Sequence, residues 1–114
     1  MTLIYKIVSA DLWREALDAG ELKGMPVDFK DGYMHFSSAA QVRQTAALHF
    51  AREENLILLT VRASKFADRL KWEPSRGGDL FPHLYAPLPT AAVDLAAPLP
   101  LGADGLHIFP ESVP

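Results

Sequence analysis

Leu3 to Val8 is a short β-prone stretch, and from Leu12 onward the apolar spacing becomes helical. Leu12, Trp13, Ala16 and Leu17 share one helical face, Ser9 stands at the N-cap position, and Gly20 stands where the helix should stop. Residues 22–30, interrupted by Gly24 and Pro26, carry no period and read as irregular. Asp31-Gly32 is a turn signal, and Tyr33-Met34-His35-Phe36-Ser37 alternates like a strand. Ser38 with Gln41 fits a capping box opening a second helix to about Glu53, with Ala39, Val42, Ala46 and Phe50 as its core stripe. Asn55 then turns the chain into Leu56 to Val61, a near-continuous apolar run suited to a strand covered on both faces.

A helical turn over 63–68 and strands over 69–73 and 83–86 are expected next. The proline-rich tail offers two more strands, 92–96 and 106–109. The order β-α-β-α-β followed mainly by strands predicts an α+β fold with two main helices.

A chain of 114 residues fits one domain, residues 1–114, and its hydrophobic content of 49% is ample for a core. A net charge of −3, with Lys and Arg scattered, argues against a general nucleic-acid surface. The absence of cysteine removes disulfides, thiol nucleophiles and Cys-based zinc sites, and no metal is expected. No signal peptide is recognisable and no apolar run approaches the roughly 20 residues of a membrane span, so a cytoplasmic protein without membrane contact is expected. Dinucleotide-binding glycine fingerprints, Walker sequences and Gly-x-Ser-x-Gly elbows are absent too.

Chemistry concentrates in two places. If residues 33–37 are extended, Met34 and Phe36 point to the core. Tyr33, His35 and Ser37 then line the other face, just before a helix N-terminus at Ser38 that suits an anion. The second place is Trp72-Glu73-Pro74-Ser75-Arg76-Gly77-Gly78-Asp79-Leu80-Phe81-Pro82-His83-Leu84-Tyr85. Here Arg76 on the Gly77-Gly78 turn can take a phosphate or carboxylate, and Glu73 can orient a ribose hydroxyl or act as a base. His83 and Tyr85 share a strand face, Leu84 points to the core, and Trp72 and Phe81 read as anchors. The plainer alternative is a tight turn held by a Glu73–Arg76 ion pair. His49 and Glu53 read as a surface pair, His107 as an edge residue, and Arg43 and Arg52 as a wet helix face.

Together, Asp31 to Ser38 and Trp72 to Tyr85 resemble the small bacterial proteins called domain of unknown function 952, over nearly the whole chain. That family is similar in fold to the ADP-ribosyltransferases and RNA 2′-phosphotransferases. The resemblance implies a small split β-sandwich with NAD, or a related nucleotide, held between two sheets. It implies that His35 and Ser37 hold a ribose and that Tyr85 is a candidate to stack on nicotinamide. The late-strand glutamate of the arginine-directed transferases has no counterpart in context, since Glu73 lies mid-chain and Glu111 in the tail.

Three functions follow as expectations. The first is a nucleotide pocket acting as an ADP-ribosyl or phosphoryl transferase, with His35, His83 and Glu73 catalytic. In it Tyr33, Ser37, Ser38, Arg76, Gly77, Gly78 and Tyr85 would hold the ligand. The second is a two-histidine phosphoesterase, and the third a non-catalytic sensor of a small anionic metabolite.

Overall fold

The computed structural model describes residues 1–114, apart from the side chain of Arg76. The first apolar run forms β1 (Leu3–Ser9), followed directly by α1 (Ala10–Ala19). Ser9 caps α1, its Oγ accepting the Leu12 N–H at 3.1 Å, and Gly20 ends it in the left-handed conformation with φ 88°. Trp13 and Ala16 are buried as expected, but Leu17 faces outward. Each residue advances about 100° around a helix, so Leu12 and Leu17 flank this narrow buried arc on opposite sides.

Residues 22–30 are more ordered than their lack of period suggests. Glu21–Leu22 form β2, and Pro26–Asp31 form α2. Pro26 starts this helix rather than breaking it, because a first-turn residue needs no N–H partner. Gly32, with φ 86°, closes it.

The expected strand over 33–37 is divided between two sheets. Only Met34–His35 form β3. Phe36 donates its N–H to Pro82 O at 3.0 Å, and Ser37 then pairs with Tyr5, each accepting the other's N–H at 2.8 Å. The segment therefore passes from one sheet to the next, which shortens the regular strand.

The second long helix is also shorter than expected: α3 covers Val42–His49. The capping box is half made, with Gln41 Oε1 accepting the Ser38 N–H at 3.0 Å. Beyond His49, Arg52 and Asn55 adopt φ of 61° and 56°, which no right-handed helix accommodates.

β4 (Leu56–Arg62) pairs antiparallel with β1 from Leu3↔Arg62 to Ser9↔Leu56, and β8 (Leu95–Pro98) lies on its other side. A second three-stranded sheet has the order β3-β6-β5, with β5 at Leu70–Pro74 and β6 at Leu80–Leu84. β7 (Leu88–Pro89) pairs with β2. Residues 106–109 form no strand, and His107 makes only an isolated bridge to Leu101.

The apolar run of β4 is explained by two cores. Leu59 and Val61 pack with Ile4, Val8, Trp13, Met34, Phe36 and Leu84 on one side. Leu56 and Leu58 pack with Tyr5, Ile7, Val42 and Ala46 on the other. The whole is an α+β arrangement of antiparallel sheets and three helices. Among the described residues, no helix is long and apolar enough to cross a membrane.

Candidate functional site

Strand register brings the two chemical clusters together. His35 is the direct cross-strand partner of His83, which in turn opposes Lys71, while Glu73 opposes Phe81. Opposed residues in an antiparallel pair share a face, so β3, β6 and β5 present His35, His83, Phe81, Lys71 and Glu73 on one side. The histidine rings lie 5.5 Å apart, edge to face. Tyr33 stacks on His83 at 4.1 Å and 28°, and its ring also stands 4.7 Å from His35 and 5.3 Å from Tyr85. Lys71 Nζ sits 4.9 Å above the Tyr85 ring.

Glu73 organises the β5–β6 half of this face. Its Oε1 accepts from His83 Nδ1 at 2.8 Å and from the Tyr85 hydroxyl at 2.7 Å. An ionised carboxylate only accepts, so Nδ1 carries a proton, and in the neutral tautomer this bond selects, Nε2 is the nitrogen that keeps its lone pair. His83 is almost wholly buried, and Nε2 has no partner among the described residues. The hydrogen bonds from Tyr85 and His83 hold the Glu73 carboxyl below its ordinary range.

The same bond from Tyr85 to Glu73, with burial and the carboxylate's charge adding to it, pushes the Tyr85 phenol up to about 12. Any stability from this bond is complete below the phenol's ordinary value of 10.0 and is lost as the pH rises through about 12. Glu73→Gln removes the charge, so Tyr85 should ionise closer to 10.0 in an ultraviolet absorbance titration. An unchanged Tyr85 titration in that variant would show that Glu73 is not its controlling partner.

The β3 half is organised from beneath by Asp28 on α2. Its Oδ1 accepts from His35 Nδ1 at 2.7 Å and from the His35 backbone N–H at 3.0 Å. Its Oδ2 accepts from the Met25 N–H at 2.6 Å and from Lys6 Nζ at 2.8 Å. Lys6 also donates to His35 O at 2.9 Å. Burial favours the neutral acid, but the bond from His35, the charge and bond of Lys6, and the Met25 N–H together hold Asp28 at about 2. Burial pulls the Lys6 ammonium below its ordinary value, and Asp28 only partly restores it. The far ring nitrogen of His35, Nε2, lies 2.9 Å from Asp31 Oδ2, so both of its nitrogens face carboxylate oxygens.

A cavity of about 520 Å³ opens beside these groups. That is within the usual range for small-molecule sites, roughly 300–1,000 Å³. Its polar wall includes Lys6, Asp31, His35, Ser37, Thr45 and His83, and its apolar wall includes Met25, Val27, Phe36, Phe50 and Phe81.

Of the residues singled out from sequence, His35, Ser37 and His83 reach this cavity, while Tyr33, Glu73 and Tyr85 pack around His83. The Ser37 hydroxyl is buried, 2.8 Å from that of Thr45. The Ser38 N–H is taken by Gln41 and so is not open to an anion. Gly77 and Gly78 form an exposed hairpin turn with φ of 71° and 89°, closed by Gly78 N–H to Ser75 O at 2.7 Å. Among the described residues of that turn, Ser75 lines the cavity. The expectation for the Arg76 guanidinium falls outside the described residues. Trp72, expected as an anchor, is 41% exposed because β5 is the outer strand of its sheet. His49, read as half of a surface pair, is exposed and also lines the cavity from the end of α3.

Sequence reasoning missed Lys6, Asp28 and Thr45 and saw Asp31 only as a turn former. A signal for Lys6 existed: it shares a strand face with Ile4 and Val8, and a charge on a buried face requires a partner. Among the described residues, no group of acidic and histidine side chains is arranged to hold a metal ion.

Fold and site define a small α+β protein with an acid–base cluster at a cavity where two antiparallel sheets meet. The family described as "Protein of unknown function (DUF952)" matches residues 7–96, and the chain belongs to it. The crystal structure of protein CC0527 from Caulobacter crescentus is similar, with 47% identity, 94% of each chain covered and a TM-score of 0.90. The solution structure of CC0527 gives 48% identity over 93% of this chain and 91% of that one, with a TM-score of 0.85. Comparison with the curated proteins gave no match.

Proposed function

We propose that the cavity binds NAD or a related nucleotide by a ribosyl end, and that His83 serves there as the base of an ADP-ribosyl or phosphoryl transfer. The observation that carries this reading is the buried His83 imidazole in the cavity wall, held by Glu73 through Nδ1 with Nε2 unspent among the described residues. A carboxylate that fixes tautomer and orientation is the usual companion of a catalytic imidazole. Charge supports the same reading. Among the described residues, Asp28, Asp31 and Glu73 outnumber Lys6 and Lys71 around the cluster, which favours positive charge developing at the reacting end of a ribosyl group. The meeting of two three-stranded sheets at Ser37 and Tyr5 is compatible with a split sandwich of the ADP-ribosyltransferase type.

Binding is tested by thermal unfolding with millimolar NAD and ADP-ribose. At ten times its dissociation constant, a ligand adds about 1.4 kcal/mol, which moves the melting temperature by several degrees in a chain of this size. His35→Ala, which removes the ribose-holding imidazole, should abolish the shift. No shift with either nucleotide would end this reading.

A second reading, a two-histidine phosphoesterase, draws on the direct cross-strand pairing of His35 and His83. Against it stand His83-Leu84-Tyr85 in place of a second His-x-Ser/Thr and the occupation of both His35 nitrogens. Hydrolysis of a 2′,3′-cyclic nucleotide, lost on replacing either histidine, would favour it. Tight nucleotide binding without turnover of any substrate would instead favour a sensing module.

A further inference from the structure

We infer that β5 is a self-association edge, to which a second copy of this chain adds its own β5, antiparallel about a two-fold axis at Trp72. The sheet order β3-β6-β5 leaves one side of β5 without a strand partner among the described residues. Tyr85 N–H to Arg69 O at 2.8 Å and Ser75 N–H to Asp79 O at 2.9 Å bracket the β5–β6 ladder and fix its alternation. Residues 69, 71, 73 and 75 therefore turn their backbone groups towards β6, and those of Leu70, Trp72 and Pro74 point outward. Such an edge is a template for another strand. Trp72 is 41% exposed on it, and exposed Pro74 and Leu80 lie on the same face of the sheet.

Charge selects both the occupant and the register. Lys71 and Glu73 flank Trp72 in sequence and share the opposite face. When two β5 strands pair antiparallel about Trp72, Lys71 of each copy faces Glu73 of the other. An axis at residue 71 sets Lys71 against Lys71, an axis at 73 sets Glu73 against Glu73, and parallel pairing in register does both. Glu73 has room for this contact: Oε1 takes His83 and Tyr85, Oε2 has no partner among the described residues, and the side chain is 35% exposed. Lys71 is exposed and has no ion pair among the described residues, its ammonium lying over the Tyr85 ring. The centred register also tolerates Pro74, which has no N–H. Trp72 then bonds to Trp72 of the second copy in both directions, and each Leu70 N–H meets a Pro74 O. No property of the cavity enters, so this inference stands apart from the nucleotide reading.

Analytical ultracentrifugation from about 10 µM to about 1 mM tests the association, since a short edge makes a small and weak interface. The sedimenting mass should rise from 12.5 kDa towards twice that value. Lys71→Glu should weaken the association roughly tenfold or more, because both cross-strand contacts become like-charged.

Disulfide formation reads the register, in a chain with no cysteine of its own. Trp72→Cys sets the two thiols directly opposite, with Cα atoms about 5.5 Å apart, and should give a covalent dimer on mild oxidation. Pro74→Cys sets them about 13 Å apart along the strands and should not. All three substituted positions are exposed, and circular dichroism confirms that each variant folds. A mass of 12.5 kDa across the whole range would overturn the dimer. Equal cross-linking at the two positions, or association unchanged by Lys71→Glu, would overturn this edge and register.

Discussion

Asp28→Ala is expected to cost about 3–5 kcal/mol of folding stability, the range for removing one partner of a buried ion pair. The two side chains are only 3% and 2% exposed, so the ammonium of Lys6 would be left in the interior without its counter-charge. The loss extends further, because Asp28 also accepts from the Met25 N–H, the His35 N–H and the His35 ring. A single carboxylate thus ties β1, the start of α2 and β3 together. Lys6→Met combined with Asp28→Leu should cost much less than Asp28→Ala, since it removes both charges and leaves none stranded. Urea unfolding measures all three proteins. A cost below about 1 kcal/mol for Asp28→Ala, the worth of an exposed pair, would show that the buried charges are not interdependent.

The same carboxylate sets an acid limit. Asp28 is held at about 2 against an ordinary 3.8, so its contribution is complete above 3.8 and fades as the pH falls towards 2. Linkage assigns roughly 2 kcal/mol to that difference. This is smaller than the truncation cost because protonation leaves the side chain in place to fill space and bond. The natural protein should lose stability between about pH 4 and pH 2 by this amount more than the Asp28→Ala variant does. Parallel acid profiles in the two would assign the titration to other groups.

The sequence carried β1, α1, β4 and β5 well, because α1 has a helical period and clear caps and the strands are β-prone runs bounded by turn signals, whereas the strands expected over 83–86 and 92–96 lie at Leu80–Leu84 and Leu95–Pro98 and that over 106–109 does not form. It carried α2 poorly: six residues are too few to show a helical period, and Gly24 and Pro26 mask the start. Strand alternation put His35 and His83 on useful faces, and the register made them direct partners. Alternation marks Lys6 as a charge on a buried face but cannot reveal that its partner is Asp28 from a distant segment, which is why the pair escaped notice. The Arg-Gly-Gly turn had promised a phosphate cradle, but positive φ at two successive glycines is equally what a tight hairpin needs. Its backbone serves the β5–β6 connection, with Ser75 N–H donating to Asp79 O at 2.9 Å.

His83→Ala is expected to lower the proposed transfer by about 10²–10⁴ in kcat, the usual contribution of a positioned general base. Glu73→Gln should lower it too, because the amide bears no charge to favour the protonated imidazole and its nitrogen can turn towards Nδ1 and reverse the tautomer. The two residues act as one unit through the 2.8 Å bond between them, so their effects should not add. A variant carrying both changes should be no slower than His83→Ala alone. That non-additivity separates a base and its orienting carboxylate from two independent contributors, whose losses would multiply. Unfolding curves for each variant guard against a collapsed site, since Glu73 also accepts from Tyr85. If His83→Ala retained more than a tenth of the natural rate while still binding NAD, the base would have to be sought elsewhere, with His49 in the cavity wall the next imidazole to test.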